Sequence, residues 1–506
     1  MWILEAQAKR LSRQTSLTIL AVVVSILLPV YHLTAAPGLT WLNHGADGGD
    51  LMTAVATWGV PHPTGYPTYV LLGRLFLALP WSDPAYRLTL MSVVSMALAG
   101  GILGALAAQG AQGCRWLKAA CGMVVGLSFG LGPLSWAQAT IVEVHGLSAL
   151  FVALALLLIG RIGAKPGRPG MPGVGLGFVS GLALGNHLTF ALLLPAILAA
   201  LWRKRKEAGP WHLASWIAAF GVGLSVYLYL PLASRAQPAI DWGNPSTWKG
   251  FGWVISGGPY RGLVFGYPLA GIPGQIAAWA RLLLTQFGLV GLALGIVGLV
   301  FGTSEHPWVD RVVLWIVPIY SVFSLGYNAP DSSAYLIPAY LGFAWWIGLG
   351  LRFLATTARR IHHGMALLVP LSALIALGIR SPPTWREVDA SSNLGAIRYS
   401  EAVMKAAPEG ALILTQGDRD TFPLWYTHFA LGMRPDLRLV VAPLTAFEWY
   451  RQSLAQTYPD LAKAESLPST PGTWLEQMLE RERRPVCRTH FDPSRENLPV
   501  GILCDS

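Results

Sequence analysis

The chain reads as a polytopic α-helical membrane protein with about eleven transmembrane helices and a C-terminal extracytoplasmic α/β domain. Three observations predict this class. Of 506 residues, 53% are hydrophobic and only 12% charged, with a mean hydropathy of +0.47, which leaves too little polar surface to cover a soluble globule. Apolar stretches long enough to cross a hydrocarbon core of roughly 30 Å recur along three quarters of the chain. From about Ser381 the composition turns polar and strand-like stretches alternate with helix-like ones.

The predicted spans are 16–35, 88–108, 116–137, 147–161, 211–232, 283–301, 312–325, 335–354 and 365–379. The run 174–202 holds Gly185, Asn186 and His187 midway. It reads as two short helices with a polar tip, because an ionisable group is expensive in hydrocarbon. The apolar segment 67–81 is interrupted by Arg74 and closed by Pro80, and is expected to lie in the interface or re-enter it. The first span is longer than a cleavable leader needs, although Thr34, Ala35 and Ala36 loosely resemble a cleavage site.

Basic residues set the expected orientation. Lys9, Arg10 and Arg13 precede the first span, and the clusters at Arg115 and Lys118, 161–168, 203–206 and 352–360 fall at alternate turns. By the positive-inside rule these turns are cytoplasmic and the intervening loops, with everything after the last span, lie outside. The net charge of +10 is thus dispersed in short juxtamembrane clusters and gives no nucleic-acid-binding patch. In the polar region, 411–415 and 437–441 are β-prone, and 446–456 and 473–481 helix-prone. Cys487 and Cys504 both lie there, where an exported pair can form a disulfide or remain as two free thiols. Cys114 and Cys121 lie near a cytoplasmic boundary. No metal-ligand spacing such as CxxC or HExxH occurs, and dependence on a divalent metal stays open.

This topology sorts the polar residues that interrupt apolar sequence. Asp47, Asp50, His62 and Tyr66 fall in the first outer loop (37–84), Glu143 and His145 in the second, and Asn186 and His187 at the third tip. Arg235, Asp241, Trp242, Asn244, Tyr260 and Arg261 fall in the long outer loop 233–282, and Tyr327, Asn328 and Asp331 in the fifth. All are expected on one face, whereas a transporter places its binding groups near the midplane. Plainer readings stand beside this one. Asp47 and Asp50 can cap the helix starting near Leu51, Glu143 can be a helix-end carboxylate in an ion pair, and His187 a satisfied buried imidazole. The tryptophans fit an interfacial aromatic belt.

Several segments together resemble a known family. They are Asp47-Gly-Gly-Asp50-Leu51 with Gly59-Val-Pro-His62-Pro-Thr-Gly-Tyr66-Pro67, then Glu143-Val-His145-Gly-Leu, Gly185-Asn186-His187-Leu-Thr, Asp241-Trp-Gly-Asn-Pro245 and Gly417-Asp418-Arg-Asp420-Thr-Phe-Pro-Leu. With the predicted topology they resemble the GT-C superfamily of membrane glycosyltransferases, and within it a bacterial domain-of-unknown-function family related to the plexin-domain protein O-mannosyltransferase. Where those relatives often carry Asp-Ser-Gly-Glu-Leu, this chain keeps Asp47 and shortens the second acid to Asp50.

The resemblance implies a multi-pass protein of a bacterial plasma membrane with a cytoplasmic N-terminus. Residues 1–380 would form the catalytic membrane domain and 381–506 the outer domain. The implied reaction moves a sugar, mannose in the related enzyme, from a polyprenyl-phosphate donor to a protein or other acceptor outside, with inversion. Membrane lipid, the lipid-linked sugar and a protein or glycan acceptor are the expected partners, and no resident cofactor is specified. Asp47 is the expected base, with Asp50 and Glu143 as the other catalytic carboxylates. Arg235, Arg261 and His187 are candidate phosphate partners, while His62, Tyr66, His145 and Asn186 are expected at the donor. Asp418, Asp420 and Trp425 are expected on an exposed rim that selects the acceptor. A lipid-linked sugar flippase or other transporter, or a non-catalytic membrane scaffold, are the alternative readings.

Overall fold

The computed structural model describes residues 2–80, 82–110, 115–163, 170–362, 364–461, 473–489 and 502–505. Trp81, Cys114, and Lys165 and Arg168 of one basic cluster lie outside them. The membrane part begins with α1 (Trp2–Thr34), followed by two short loop helices, α2 (Gly48–Thr57) and α3 (Pro67–Leu77). Next come α4 (Pro84–Gly110), α5 (Arg115–Gly130), α6 (Pro133–Ala139), α7 (His145–Gly163), α8 (Gly170–Asn186) and α9 (Leu194–Ala208). The second half holds α10 (Pro210–Leu224), α11 (Tyr229–Arg235), the loop helix α12 (Trp248–Ile255), and α13 (Ile272–Phe301), α14 (Pro307–Gly326), α15 (Ile337–Ile361) and α16 (Met365–Val388).

Among the described residues, eight helical segments are long and apolar enough to cross a membrane, and a ninth arises if α5 and α6, bent by 67°, count as one span. The bend falls where Gly132 precedes Pro133, since proline starts a helix readily but cannot continue one. The expected split of 174–202 is present. Helix α8 stops at Asn186, His187 is extended, and a 3₁₀ turn leads into α9, with Pro195 at its start. These two helices have 17 and 15 residues, so a count of eleven spans requires the bent pair and both short helices.

Helix α15 occupies the centre of the bundle, with its membrane-length segment almost wholly buried. Helices α4 and α5 approach backbone to backbone: a Cβ on Gly104 would lie 2.6 Å from the carbonyl oxygen of Gly122. Small residues at such crossings are how membrane helices gain packing without a hydrophobic driving force.

Helix α16 continues through Ser381, with Pro382 and Pro383 inside it, to Val388, so the boundary expected at 380/381 falls within a helix. After it come α17 (Gly395–Ala406), β1 (Leu412–Thr415), α18 (Asp418–Trp425), β2 (Arg438–Val441), α19 (Glu448–Thr457), α20 (Thr473–Arg481), β3 (Val486–Thr489) and β4 (Ile502–Asp505). The sheet order is β2-β1-β3-β4, with β1 parallel to both neighbours and β4 antiparallel to β3. Strand β1 is wholly buried, as the middle of a covered parallel sheet should be. Cys487 on β3 and Cys504 on β4 are opposite each other and joined by a disulfide.

The buried core runs without a break from the membrane helices into this sheet. The join is specific. The amide of Asn43 donates to the Val388 carbonyl (2.8 Å), the backbone N–H of Ala390 to Thr34 (3.0 Å), and the Trp41 indole to Arg419 (3.1 Å). The long loop 233–282 is tied to the first outer loop by a parallel bridge between Val60 and Asp241 and by a small apolar cluster of Val60, Leu230, Ala233 and Val254.

Candidate active site

Asp50 lies in the first turn of α2 and has no solvent exposure. A carboxylate so enclosed must have its lone pairs met by donors. Its Oδ2 accepts the backbone N–H of His62 (2.9 Å) and faces His62 Nδ1 at 2.6 Å, while Oδ1 accepts the indole N–H of Trp242 (3.0 Å). The imidazole is thereby fixed with Nε2 turned toward Asp47 Oδ2 at 3.7 Å and the Tyr66 hydroxyl at 3.1 Å. Asp50, His62 and Asp47 form a short relay, Asp50 at its buried end and Asp47, whose side chain is one-third exposed (34%), at its open end.

The charges follow from this geometry. Burial pushes the Asp47 carboxyl up to about 6, aided by the neighbouring Asp418 and opposed by His62. Burial disfavours a charge on His62, but Asp47 and the hydrogen bond that His62 donates to Asp50 outweigh it and raise the imidazole to about 9. His62 is therefore an imidazolium near neutral pH, held between two carboxylates. Burial, reinforced by Asp47, holds Glu143 well above the usual carboxylate range; its Oε2 accepts the Val144 N–H at 3.0 Å.

Capping does not explain either acid of the first loop. Asp47 precedes α2 without making a side-chain capping bond, and the oxygens of Asp50 are used by His62 and Trp242. Around them the aromatic rings form a continuous lining. His62 stacks on Phe422 of α18 (6.4 Å between centroids, 14° between planes) and meets Tyr260 edge-on at 6.4 Å. Tyr66 stacks on His187 at 5.9 Å, and His145, His187 and Tyr335 meet pairwise at 5.5–5.7 Å.

Other expected residues take structural parts. Asn186 is buried and ties α8 to the start of α7, donating to the Val144 carbonyl (3.2 Å) and Ser148 Oγ (2.8 Å). His187 caps the following 3₁₀ turn by accepting the Thr189 N–H on Nδ1 (3.2 Å). Arg261 follows Tyr260 and donates to Ser256, and Arg235 is exposed at the end of α11.

The exposed acceptor rim requires correction. Asp420 and Trp425 are buried, at 3% and 4% exposure. Asp420 accepts the backbone N–H groups of Gln416 and Gly417 and the Thr489 hydroxyl (2.8, 2.7 and 2.6 Å), because the loop after β1 needs an acceptor at the start of α18. Trp425 packs on Trp242 and Phe422. Of the three, Asp418 alone is exposed.

The sequence reasoning placed Trp242 and Tyr260 in the long loop without a role and passed over Phe422. The Asp241–Pro245 segment did carry a signal for Trp242, but only the bridge to Val60 brings its indole to Asp50. Among the described residues no group of three or more His, Cys, Asp or Glu side chains is arranged to hold a metal ion.

Comparison with known proteins agrees with this architecture. Residues 47–209 match the "Protein O-mannosyl-transferase TMEM260 N-terminal domain" and residues 396–496 the "TMEM260-associated domain 2". The Protein O-mannosyl-transferase TMEM260 of Mus musculus is 27% identical over 442 residues, covering 82% of this chain and 62% of the relative. That of Dictyostelium discoideum is 24% identical over 500 residues, covering 88% and 59%. The chain spans about three fifths of the length of these curated relatives. ArnT from Cupriavidus metallidurans bound to undecaprenyl phosphate superposes with a TM-score of 0.58 at 12% identity over 93% of this chain and 92% of ArnT. The apo form gives 0.57 at 13% identity over 94% and 93%. The chain has the fold of ArnT, and over residues 47–209 and 396–496 it is similar to the TMEM260 O-mannosyltransferase family, to which its curated relatives also belong.

Proposed function

We propose that this chain is a GT-C-type glycosyltransferase that moves a sugar, mannose by analogy with the names of its relatives, from a polyprenyl-phosphate donor to a protein or other hydroxyl acceptor. The observation that carries the proposal is the Asp50–His62–Asp47 relay, which ends in a partly open carboxylate with a pKa near 6. A general base works best when its pKa lies close to the operating pH. The His62 imidazolium keeps Asp47 ionised despite its burial, so the proton-accepting form prevails at neutral pH.

In the proposed step the acceptor oxygen attacks the anomeric carbon as its proton passes to Asp47. The bond from the anomeric carbon to the phosphate oxygen breaks, and polyprenyl phosphate leaves with the electron pair. Direct displacement gives inversion. Arg261 and Arg235 are the proposed phosphate partners, since guanidinium groups bind phosphate oxygens in pairs. Glu143, whose carboxyl burial raises, would bind a sugar hydroxyl beside Asp47. Tyr66, His145 and His187 would form the polar and aromatic wall of the donor site.

The proposed topology puts the N-terminus in the cytoplasm and the relay outside, in a bacterial plasma membrane, with the catalytic part at 1–380 and the α/β part at 381–506. Phe422 against His62 and the exposed Asp418 support a role for the α/β part in receiving the acceptor. The test is to incubate membranes containing the protein with radiolabelled polyprenyl-phosphate sugars and identify the labelled product. Labelled protein from wild type and none from Asp47→Asn supports the reading; equal labelling by both removes Asp47 as the base.

A further inference from the structure

A second groove lies toward the ends of α9 and α14 that point away from the relay. The 3₁₀ turn that leads into α9 is tied to α14, Tyr320 donating to the Thr189 carbonyl (3.0 Å) and Trp315 to that of Leu192 (2.8 Å). Between Pro195 to Arg203 of α9 and Trp308 to Trp315 of α14 lies an open groove of about 330 Å³. Its floor is made of small residues, Ala196, Ala199 and Ala200 of α9, and two arginines, Arg203 and Arg311, stand at its far end. Both guanidiniums lie over the ring of Trp308, at 5.7 Å and 4.7 Å from its centroid. Arg311 is roughly 13 Å further along α14 than Tyr320, at 1.5 Å per residue, so the groove is separate from the relay.

Among the described residues neither Arg203 nor Arg311 makes an ion pair. Two acids close in sequence are engaged elsewhere, Asp310 with Ser304 and the Trp345 indole and Glu207 with Lys204. A topogenic role explains why basic residues occur at this turn. It does not explain why one arginine from each of two helices converges on a single tryptophan at the mouth of an apolar groove. An apolar slot that ends in two convergent cations matches one kind of ligand, an acyl chain joined to a phosphate.

We infer that the groove between α9 and α14 binds an anionic glycerophospholipid of the leaflet opposite the relay, with the phosphodiester between Arg203 and Arg311 and an acyl chain over Ala196, Ala199 and Ala200. Basic pockets between membrane helices bind anionic head groups in this way. Such a lipid would cross-link α9 to α14; His187 caps the 3₁₀ turn that leads into α9, and Tyr327 follows the end of α14.

The test uses the full chain in detergent and measures binding of phosphatidylglycerol, phosphatidylcholine and undecaprenyl phosphate by native mass spectrometry, with melting curves to confirm folding. Wild type should retain phosphatidylglycerol in preference to phosphatidylcholine. Arg203→Gln with Arg311→Gln should weaken phosphatidylglycerol binding about thirtyfold, the effect of two basic residues at an anionic surface. Ala199→Phe, which leaves the charges in place and fills the groove, should weaken it about tenfold by excluding the chain. Lys206→Gln, a neutralisation in the same basic cluster but outside the groove, should change it less than about threefold. The inference is overturned if Lys206→Gln costs as much as the arginine pair, or if Ala199→Phe has no effect. It is equally overturned if undecaprenyl phosphate is lost in place of phosphatidylglycerol, because the groove would then belong to the donor lipid.

Discussion

Two short acidic segments, Asp47-Gly-Gly-Asp50 and Asp418-Arg-Asp420, meet in the folded protein and share a plan. In each the first aspartate is open and the last is buried at the start of a helix. Their buried members differ in what they hold. Asp420 accepts two backbone N–H groups and a threonine hydroxyl, none of which titrates in the working pH range, so its influence stops inside the α/β layer. Asp50 accepts an imidazole, which carries charge on to Asp47. A buried carboxylate becomes part of a reactive site when its partner is itself ionisable and reaches a second group.

The largest expected effect comes from Asp47→Asn, which should reduce sugar transfer by about two to four orders of magnitude, the contribution of a positioned base, with an unchanged melting temperature. Equal loss in Asp418→Asn would make the two open aspartates equivalent and break the contrast.

Asp50→Asn and Asp420→Asn test the buried pair. Each should lose about 1–3 kcal/mol of stability, the penalty for leaving buried donors poorly met. In the folded fraction only Asp50→Asn should slow transfer, by about tenfold or more, through a displaced relay. Active-site titration of folded enzyme distinguishes the two.

His62→Gln addresses the charge transfer itself. Asp47 must be ionised to act, so wild-type activity should fall as pH drops through about 6. Burial and Asp418 raise that value while His62 lowers it, so removing the cation should move the acid limb to higher pH. A limb that stays in place would show that His62 does not tune the base.

The contact between the segments is probed by Gly49→Ala. A Cβ there would sit 2.3 Å from the carbonyl oxygen of Phe422, so α18 must shift, at about 1–3 kcal/mol for overpacking. Unchanged melting would mean the α/β layer docks loosely.

Asp418→Asn should have the smallest effect. Its charge raises the Asp47 carboxyl, so removing it should lower the acid limb, by less than about one pH unit for an exposed group. Its main consequence under the proposed acceptor role is a higher KM for the acceptor, measured at saturating donor.

Much of this protein was legible without coordinates because bilayers and sheets impose strong local rules. The apolar lengths marked the long spans, and Gly185 to His187 marked the break between α8 and α9, since polar groups cannot remain in hydrocarbon. Strands β1 and β2 and helices α19 and α20 followed from local propensity. Strands β3 and β4 did not, because Val486–Thr489 and Ile502–Asp505 break their apolar residues with Arg488 and Asp505, where β1 and β2 each carry three consecutive aliphatic residues. Asp47 and His62 stood out as ionisable residues in a proline- and glycine-rich outer loop, and the positive-inside rule put the remaining polar segments in outer loops with them.

Which acid is buried and which is open was decided by tertiary contacts alone. Asp47 and Asp50, or Asp418 and Asp420, are chemically identical in one dimension. Their difference comes from Trp242 arriving 192 positions away in sequence to meet Asp50, and Thr489 arriving 69 positions away to meet Asp420. The sequence by itself determined that this chain spans a membrane and gathers its polar chemistry in the loops between spans, because those properties sum over many residues and each stretch carries its own share. The pairing of specific carboxylates with an imidazole, an indole and a hydroxyl depends on single long-range contacts, which hydropathy and propensity do not encode and which packing of the whole fold creates.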